Sequence, residues 1–134
     1  MKEVDYSLLE KEGMPRDLGV EFVEVGGDRV VATMPVDGRH LHPLGYLHGG
    51  VSVTLAESVA SVGAWLNCEE GKTAFGTEIN ASHVRAKRSG RLTAVGVPVH
   101  RGRNSQVWEV RIRDEEDKLV CVSRCALAVV EARE

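Results

Sequence analysis

Aromatic residues are scarce in this chain: two Phe, two Trp and two Tyr make up 4% of its 134 residues. So few rings leave little on which bases could stack, and a net charge of -3 with a pI near 6.0 lacks the excess positive charge that nucleic acid or anionic lipid selects. Neither a nucleic-acid partner nor a membrane is expected. Cysteine is rare too. Cys68, Cys121 and Cys125 are odd in number and lack the Cys-x-x-Cys spacing of a zinc site or redox motif, so they read as reduced, half-buried thiols. No Gly-x-Ser-x-Gly elbow occurs, which argues against a serine hydrolase, and nucleotide-binding motifs are missing. No His/Asp/Glu cluster has metal-ligand spacing, so no metal and no separate cofactor is expected. The stretch Met1–Tyr6 has no apolar core followed by a small-residue cleavage site, and the expectation is a cytoplasmic protein. Repeats, low-complexity segments and linkers are also absent. What remains is an apolar fraction of 43%, enough for the core of one domain over residues 1–134.

Residues 6–13 form a short helix at most, and read as a covering segment. Leu18–Val25 and Val30–Val36 are rich in β-branched residues. Gly26-Gly27-Asp28 between them is expected to supply positive-φ positions for a tight hairpin. Asp37–Leu47, with Gly38, Pro43 and Gly45, reads as an irregular loop. Gly50–Leu66 is helical and apolar nearly all round, which predicts burial on most sides; Ser52, Thr54, Glu57, Ser58 and Ser61 argue against a membrane span. Four strand-like stretches follow, Thr73–Arg85, Leu92–His100, Gln106–Arg113 and Leu119–Val130, read as a β-meander. The predicted class is α+β: a curled antiparallel sheet wrapped around one long buried helix.

Glu57 is the single charge in that helix. Burying an ionised carboxylate is costly unless the charge is paired or used, so it sits at an exposed edge, pairs with an arginine from the sheet, or is catalytic. His48-Gly49-Gly50 opens the same helix. Glycines there let a ligand approach the backbone while free N–H groups point outward, the makings of an oxyanion hole; tight packing of helix on strand explains two glycines equally well. Gly49 and Glu57 are eight residues apart, ~12 Å of helical rise, so one helix can hardly bring both to one carbonyl. If both act on one carbonyl they come from different subunits, and a two-fold dimer carries two shared sites.

Leu47-His48-Gly49-Gly50-Val51-Ser52-Val53 followed by Leu55-Ala56-Glu57-Ser58 resembles the helix signature of hotdog-fold thioesterases. The closest resemblance is to the subgroup containing 4-hydroxybenzoyl-CoA and 1,4-dihydroxy-2-naphthoyl-CoA thioesterases. It extends through Ala32–Val36, Glu78-Ile79-Asn80, His83-Val84-Arg85 and Gln106-Val107-Trp108. The resemblance implies a hotdog fold and hydrolysis of acyl-CoA, with CoA as part of the substrate rather than a cofactor. It implies Glu57 as nucleophile or general base, the Gly49 N–H as polariser of the carbonyl, and Ser61 as holder of the attacking water. His42 stands where the subgroup often carries Gln; its imidazole N–H could still donate to the carbonyl, with a charge that varies with pH. His48 joins the candidate set by position, although an imidazole at a loop-to-helix junction can simply bond backbone groups, the role favoured for it. The implied assembly is a dimer, with a tetramer as a dimer of dimers.

No acidic residue lies between Glu78 and Glu109, while Arg85, Lys87, Arg88, Arg91, Arg101 and Arg103 all do. A local basic face of this kind suits the phosphates of CoA, although a solvated set of turn charges gives the same pattern. The resemblance implies CoA contacts from Gly76, from His83, Val84, Arg85 and Ala86, and from His100, Arg101, Gly102, Arg103, Asn104 and Ser105. Other readings are a medium-chain acyl-CoA or acyl-carrier-protein thioesterase, a non-catalytic acyl-CoA-binding protein, and a hotdog dehydratase that would pair the acid with a catalytic histidine.

Overall fold

The computed structural model describes residues 2–133. In chain order it contains α1 (Tyr6–Leu9), α2 (Met14–Asp17), β1 (Glu21–Val25), β2 (Val30–Val36), a 3₁₀ turn (Gly38–His40), α3 (Gly49–Leu66), β3 (Lys72–His83), β4 (Gly90–Arg101), β5 (Ser105–Arg113) and β6 (Leu119–Glu131). The strands form one antiparallel sheet in the order β1-β2-β4-β5-β6-β3, and α3 packs against β2, β3, β4, β5 and β6. A sheet touching one helix with five of its strands is curled around it, as the composition of α3 predicts.

Small residues on α3 allow that close approach. Ala56, Ala60, Gly63 and Ala64 face the sheet and are buried. Alternating positions of the strands supply the other half of the core: Val30, Ala32, Met34 and Val36 from β2, Leu92 and Ala94 from β4, Trp108, Val110 and Ile112 from β5. Burying each of the larger side chains stabilises the fold by roughly 2 kcal/mol. Trp108 is fully buried with its ring against Gly63, where any Cβ would collide with the indole. Its Nε1–H donates to Gln106 Oε1 at 2.9 Å, and Gln106 Nε2 donates to the Ala64 carbonyl at 3.0 Å. The polar atoms of this core pair are therefore satisfied, as burial requires.

Three expectations need correction. The second half of the chain is a meander only over β4, β5 and β6: β3 pairs with β6, from Lys72 opposite Glu131 to His83 opposite Cys121, and β4 crosses over to pair with β2. Strand alternation identifies faces but not neighbours, and this crossover leaves β3 as an edge. The hairpin between β1 and β2 uses no positive φ at Gly26, Gly27 or Asp28. It closes through a bond from Gly26 N–H to the Arg29 carbonyl, while the Gly27 carbonyl accepts from Asn67 Nδ2 and Arg101 Nη1. Leu18–Val20 precedes the strand proper, because Gly19 turns the chain at φ +78° beneath Pro35 and Arg39. The covering segment, residues 6–13, holds one short helix, α1, as expected, and α2 follows it.

Candidate functional site

His48 starts α3 by accepting the Gly50 N–H on its Nδ1 at 2.8 Å, while the Val51 N–H bonds the His48 carbonyl at 3.0 Å. This is the capping role favoured for it. The Gly49 N–H makes no hydrogen bond among the described residues and remains a free donor at the positive end of the helix dipole. Gly49 is glycine for a reason of space: a Cβ would lie 2.9 Å from His83 Nε2. The exposed His83 ring, at the end of β3, therefore covers the start of α3. Around this contact lies a cleft of about 650 Å³ lined by His42, Gly49, Ser52, His83, Val84, Arg85 and others. Ser52 is buried there, with its hydroxyl unpartnered among the described residues.

Two turns along α3 the chemistry changes. Glu57 is half-buried and makes no ion pair among the described residues, which removes the sheet-arginine explanation of its place in the helix. Its carboxylate lies against Gly76, where a Cβ would come within 2.6 Å of Glu57 Oε2. Gly76 sits at the register shift of β3 opposite β6. Glu57 and Ser61 share a second cavity, of about 570 Å³, whose other walls include Leu8, Leu9, Met14 and Pro15 of the N-terminal segment with Phe22, Val53 and Val62. Thr54 and Ser58 also face it, but donate their hydroxyl protons to the Gly50 and Thr54 carbonyls at 2.9 and 2.6 Å. Among the described residues α1, α2, their connection and Phe22 of β1 cover this helix face, and within α3 only Gly50 is exposed, in line with its composition.

The candidate residues thus fall into two groups in one chain. His42, His48, Gly49 and His83 to Ala86 gather at the start of α3; Glu57, Ser61 and Gly76 gather farther along. His100 to Ser105 belongs to neither cavity. That turn closes through the Gly102 N–H to the Ser105 carbonyl at 2.8 Å, with the His100 ring against Gly102 and the Asn104 carbonyl accepting from Val129 N–H. The register carries it, through Arg101 opposite Gln106 and Gln106 opposite Leu127, to the end of the sheet where Leu127 faces Gly76. His83 lies at the other end, opposite Cys121.

The basic stretch is less free than its sequence suggests. Arg101 bonds Asp28 at 2.5 Å, Arg91 lies 3.6 Å from Glu21, and Lys87 is held by Asp114 and Glu115. Acids distant in sequence neutralise them. Arg85 and Arg103 form no ion pair among the described residues, and Arg88 lies over the Tyr46 ring with its guanidinium carbon 5.3 Å from the centroid. His40 is fully buried, with Nδ1 accepting from Asp37 N–H at 3.0 Å and Nε2 at 2.8 Å from the Leu18 carbonyl, so its role is to hold the loop. All three cysteines are buried and free, more enclosed than expected; burial, with lesser contributions from Glu57 and Glu78, pushes the Cys125 thiol up to about 12, which leaves it unreactive at neutral pH. The described residues contain no cluster suited to a metal ion, and no helix among them is long and apolar enough to cross a membrane.

Sequence reading did not identify the roof over Glu57. Its signal was the apolar Leu8, Leu9 and Met14 within a polar segment, too short to establish a helix face. Nor did it place Gly76 against Glu57, since the contact joins residues nineteen positions apart and depends on the β3–β6 pairing.

The thioesterase superfamily profile matches residues 44–121, which include α3, all of β3 and, except for His42, both groups just described. A putative esterase of Haemophilus influenzae is 54% identical over 113 residues, covering 84% of this chain and 82% of the relative. A 1,4-dihydroxy-2-naphthoyl-CoA hydrolase of Listeria monocytogenes is 45% identical over 121 residues, covering 90% of this chain and 98% of the relative. The crystal structure of a Haemophilus influenzae thioesterase superposes with a TM-score of 0.92 at 47% identity, covering 99% of this chain and 95% of that one. By profile, relatives and fold, this chain is a hotdog thioester hydrolase and belongs to the thioesterase superfamily.

Proposed function

We propose that this protein hydrolyses acyl-CoA thioesters with aromatic acyl groups at sites shared between two copies of the chain. The observation that carries the reading is the arrangement along β3. Glu57 leans on Gly76 and Gly49 lies under His83, seven residues farther along the same strand, and β3 is an edge of the sheet. An exposed edge strand is a template for another strand. In an antiparallel two-fold pairing of β3 with its copy, with Asn80 at the centre and the irregularity between Gly76 and Glu78 adding one residue, Gly76 of one chain lies beside the partner's His83. Glu57 then approaches the partner's Gly49 across one strand spacing, about 4.8 Å. The two groups that one helix holds apart become a single site, and two such dimers form the proposed tetramer.

In that site the thioester carbonyl accepts the Gly49 N–H, with His42 as a second donor. Negative charge developing on the oxygen meets donors already in place. In one route Glu57 takes a proton from water held by Ser61, the water oxygen attacks the carbonyl carbon, and the proton passes to sulfur as the C–S bond breaks; in the other Glu57 attacks the carbonyl carbon itself, CoA leaves as the thiolate, and water then cleaves the resulting anhydride, freeing the acid and Glu57 and supplying the proton that makes the thiol. Arg85 and Arg103 hold the phosphates. The aromatic acyl group is suggested by the relative named for 1,4-dihydroxy-2-naphthoyl-CoA, and the cavity beside Glu57 offers apolar walls for it. Those walls also suit a medium aliphatic chain, on CoA or on a carrier protein.

The test is Glu57→Gln, which keeps shape but can act neither as base nor as nucleophile. Folding and acyl-CoA binding should persist while turnover falls by about 10²-fold or more. Near-normal thiol release from that variant would refute the assignment, and a panel of aromatic and aliphatic acyl-CoAs in the same assay ranks the acyl groups.

A further inference from the structure

We propose that Lys87, which enters neither the cavities nor the mechanism above, is a positioning residue that sets the start of α3 for carbonyl polarisation. The inference rests on the thioesterase reading for its kinetic consequence. The loop over residues 41–48 brings His42, His48 and the Gly49 N–H to the cleft, yet only a single bridge between Leu41 and Leu47 gives it any sheet structure. Two bonds hold its end. The His48 N–H donates to the carbonyl of buried His40 at 2.9 Å, and the Leu47 N–H donates to the Lys87 carbonyl at 2.7 Å.

The second bond is only as well placed as Lys87, which lies in the connection between β3 and β4. Its ammonium is clamped 2.9 Å from Glu115 Oε1 and 3.4 Å from Asp114 Oδ2 in the turn between β5 and β6. That pair of anchors is itself built. The Asp114 side chain is 4% exposed, and its Oδ1 accepts the Glu116 and Lys118 N–H groups at 2.9 and 3.0 Å. Glu115 Oε2 accepts the Arg91 N–H at 2.8 Å and fills the space over Gly90, whose φ of +103° suits glycine. Replacing a covered ion pair by apolar side chains is often neutral or stabilising, so stability alone does not account for this one. What the clamp supplies is a fixed location for one carbonyl. Through Leu47 that location passes to the residue next to His48, and so to the direction of the Gly49 N–H. Arg88 over Tyr46 joins the same two segments one residue farther along.

The experiment compares Lys87→Met and Lys87→Arg on a full acyl-CoA and on its truncated N-acetylcysteamine thioester, with hydrogen exchange of the Leu47 to Gly49 amides. Lys87→Met should lower kcat about tenfold on both substrates with little change in KM, since a small misplacement of a donor acts on the transition state. It should also speed exchange at Leu47 and His48, and Lys87→Arg should recover most of both. If Lys87→Met does not fold, Glu115→Ala removes one anchor at an exposed turn and should give about threefold effects in the same readouts. Unchanged exchange in the variant overturns the proposal whatever the activity. So does a higher KM confined to the CoA substrate, which would make Lys87 a phosphate contact, or a lower melting temperature with kcat intact. Because exchange is read without turnover, it stands apart from failure of the thioesterase reading, which the Glu57→Gln assay detects.

Discussion

Arg85 and Arg101 have the same side chain and belong to the same basic stretch, yet their surroundings assign them different work. Arg101 bonds Asp28 and the Gly27 carbonyl, tying the end of β4 to the β1–β2 turn. Arg85 lines the cleft at Gly49 without an ion-pair partner among the described residues. A guanidinium held by a carboxylate must give up that partner before it can take a phosphate; an unpaired one need not. Arg85→Ala should therefore raise KM for acyl-CoA by about tenfold while sparing the N-acetylcysteamine thioester, the equivalent of losing one charge-assisted contact. Arg101→Ala should leave KM nearly unchanged and lower stability by under about 1 kcal/mol, the usual range for an exposed pair. Steady-state kinetics on both substrates, with urea unfolding, checks the pair; equal KM effects from the two variants would contradict the distinction.

Among the elements, α3 depends on side chains that are missing. Gly63 admits the Trp108 ring, and Gly96 of β4 admits Val59, where a Cβ would come within 2.6 Å of its Cγ1. Glycine inside a helix costs about 1 kcal/mol relative to alanine, so an exposed Gly63 would be a weakness that alanine repairs. Here the sign reverses. Trp108 is held by Gln106, and Gln106 by the Ala64 carbonyl, so the indole cannot step aside without breaking buried hydrogen bonds. Gly63→Ala should destabilise the protein by about 3 kcal/mol through overpacking. Gly38→Ala, where a Cβ meets nothing within 4 Å, should change stability by less than about 0.5 kcal/mol. Urea midpoints of the two variants measure the contrast.

At the level of the whole molecule, the proposed site requires two chains, and mixing damaged chains tests it. Glu57→Ala removes the carboxylate. Gly49→Val places a side chain where His83 lies and where the carbonyl must approach. Each homodimer should be nearly inactive. Co-refolded in equal amounts, about half of the dimers are mixed, and in each of those one site holds both lesions while the other holds none. About a quarter of all sites should then recover normal turnover. If Glu57 and Gly49 of one chain served the same carbonyl, every site would keep a lesion. No recovery, with mass spectrometry showing that mixed dimers formed, would rule out the shared site.

The α+β class, the one long helix, the strands and the prominence of Glu57 and Gly49 were all legible in the sequence. They rest on local properties: apolar periodicity, β-branching, a solitary charge, paired glycines at a helix start. Even the separation of Gly49 from Glu57 follows from helical rise alone. Tertiary structure decided what depends on neighbours distant along the chain. The β3–β6 pairing left β3 at the edge, and with it the proposed pairing surface, because alternation along a strand specifies faces but not partners. Charge partners were hidden for the same reason. Asp28, Asp114 and Glu115 come from other turns, so a run that reads as uniformly basic carries only some of its charge unpaired. The roof over Glu57 and the place of Lys87 beneath the start of α3 are contacts between segments far apart in sequence, and they exist only once the sheet has curled around the helix.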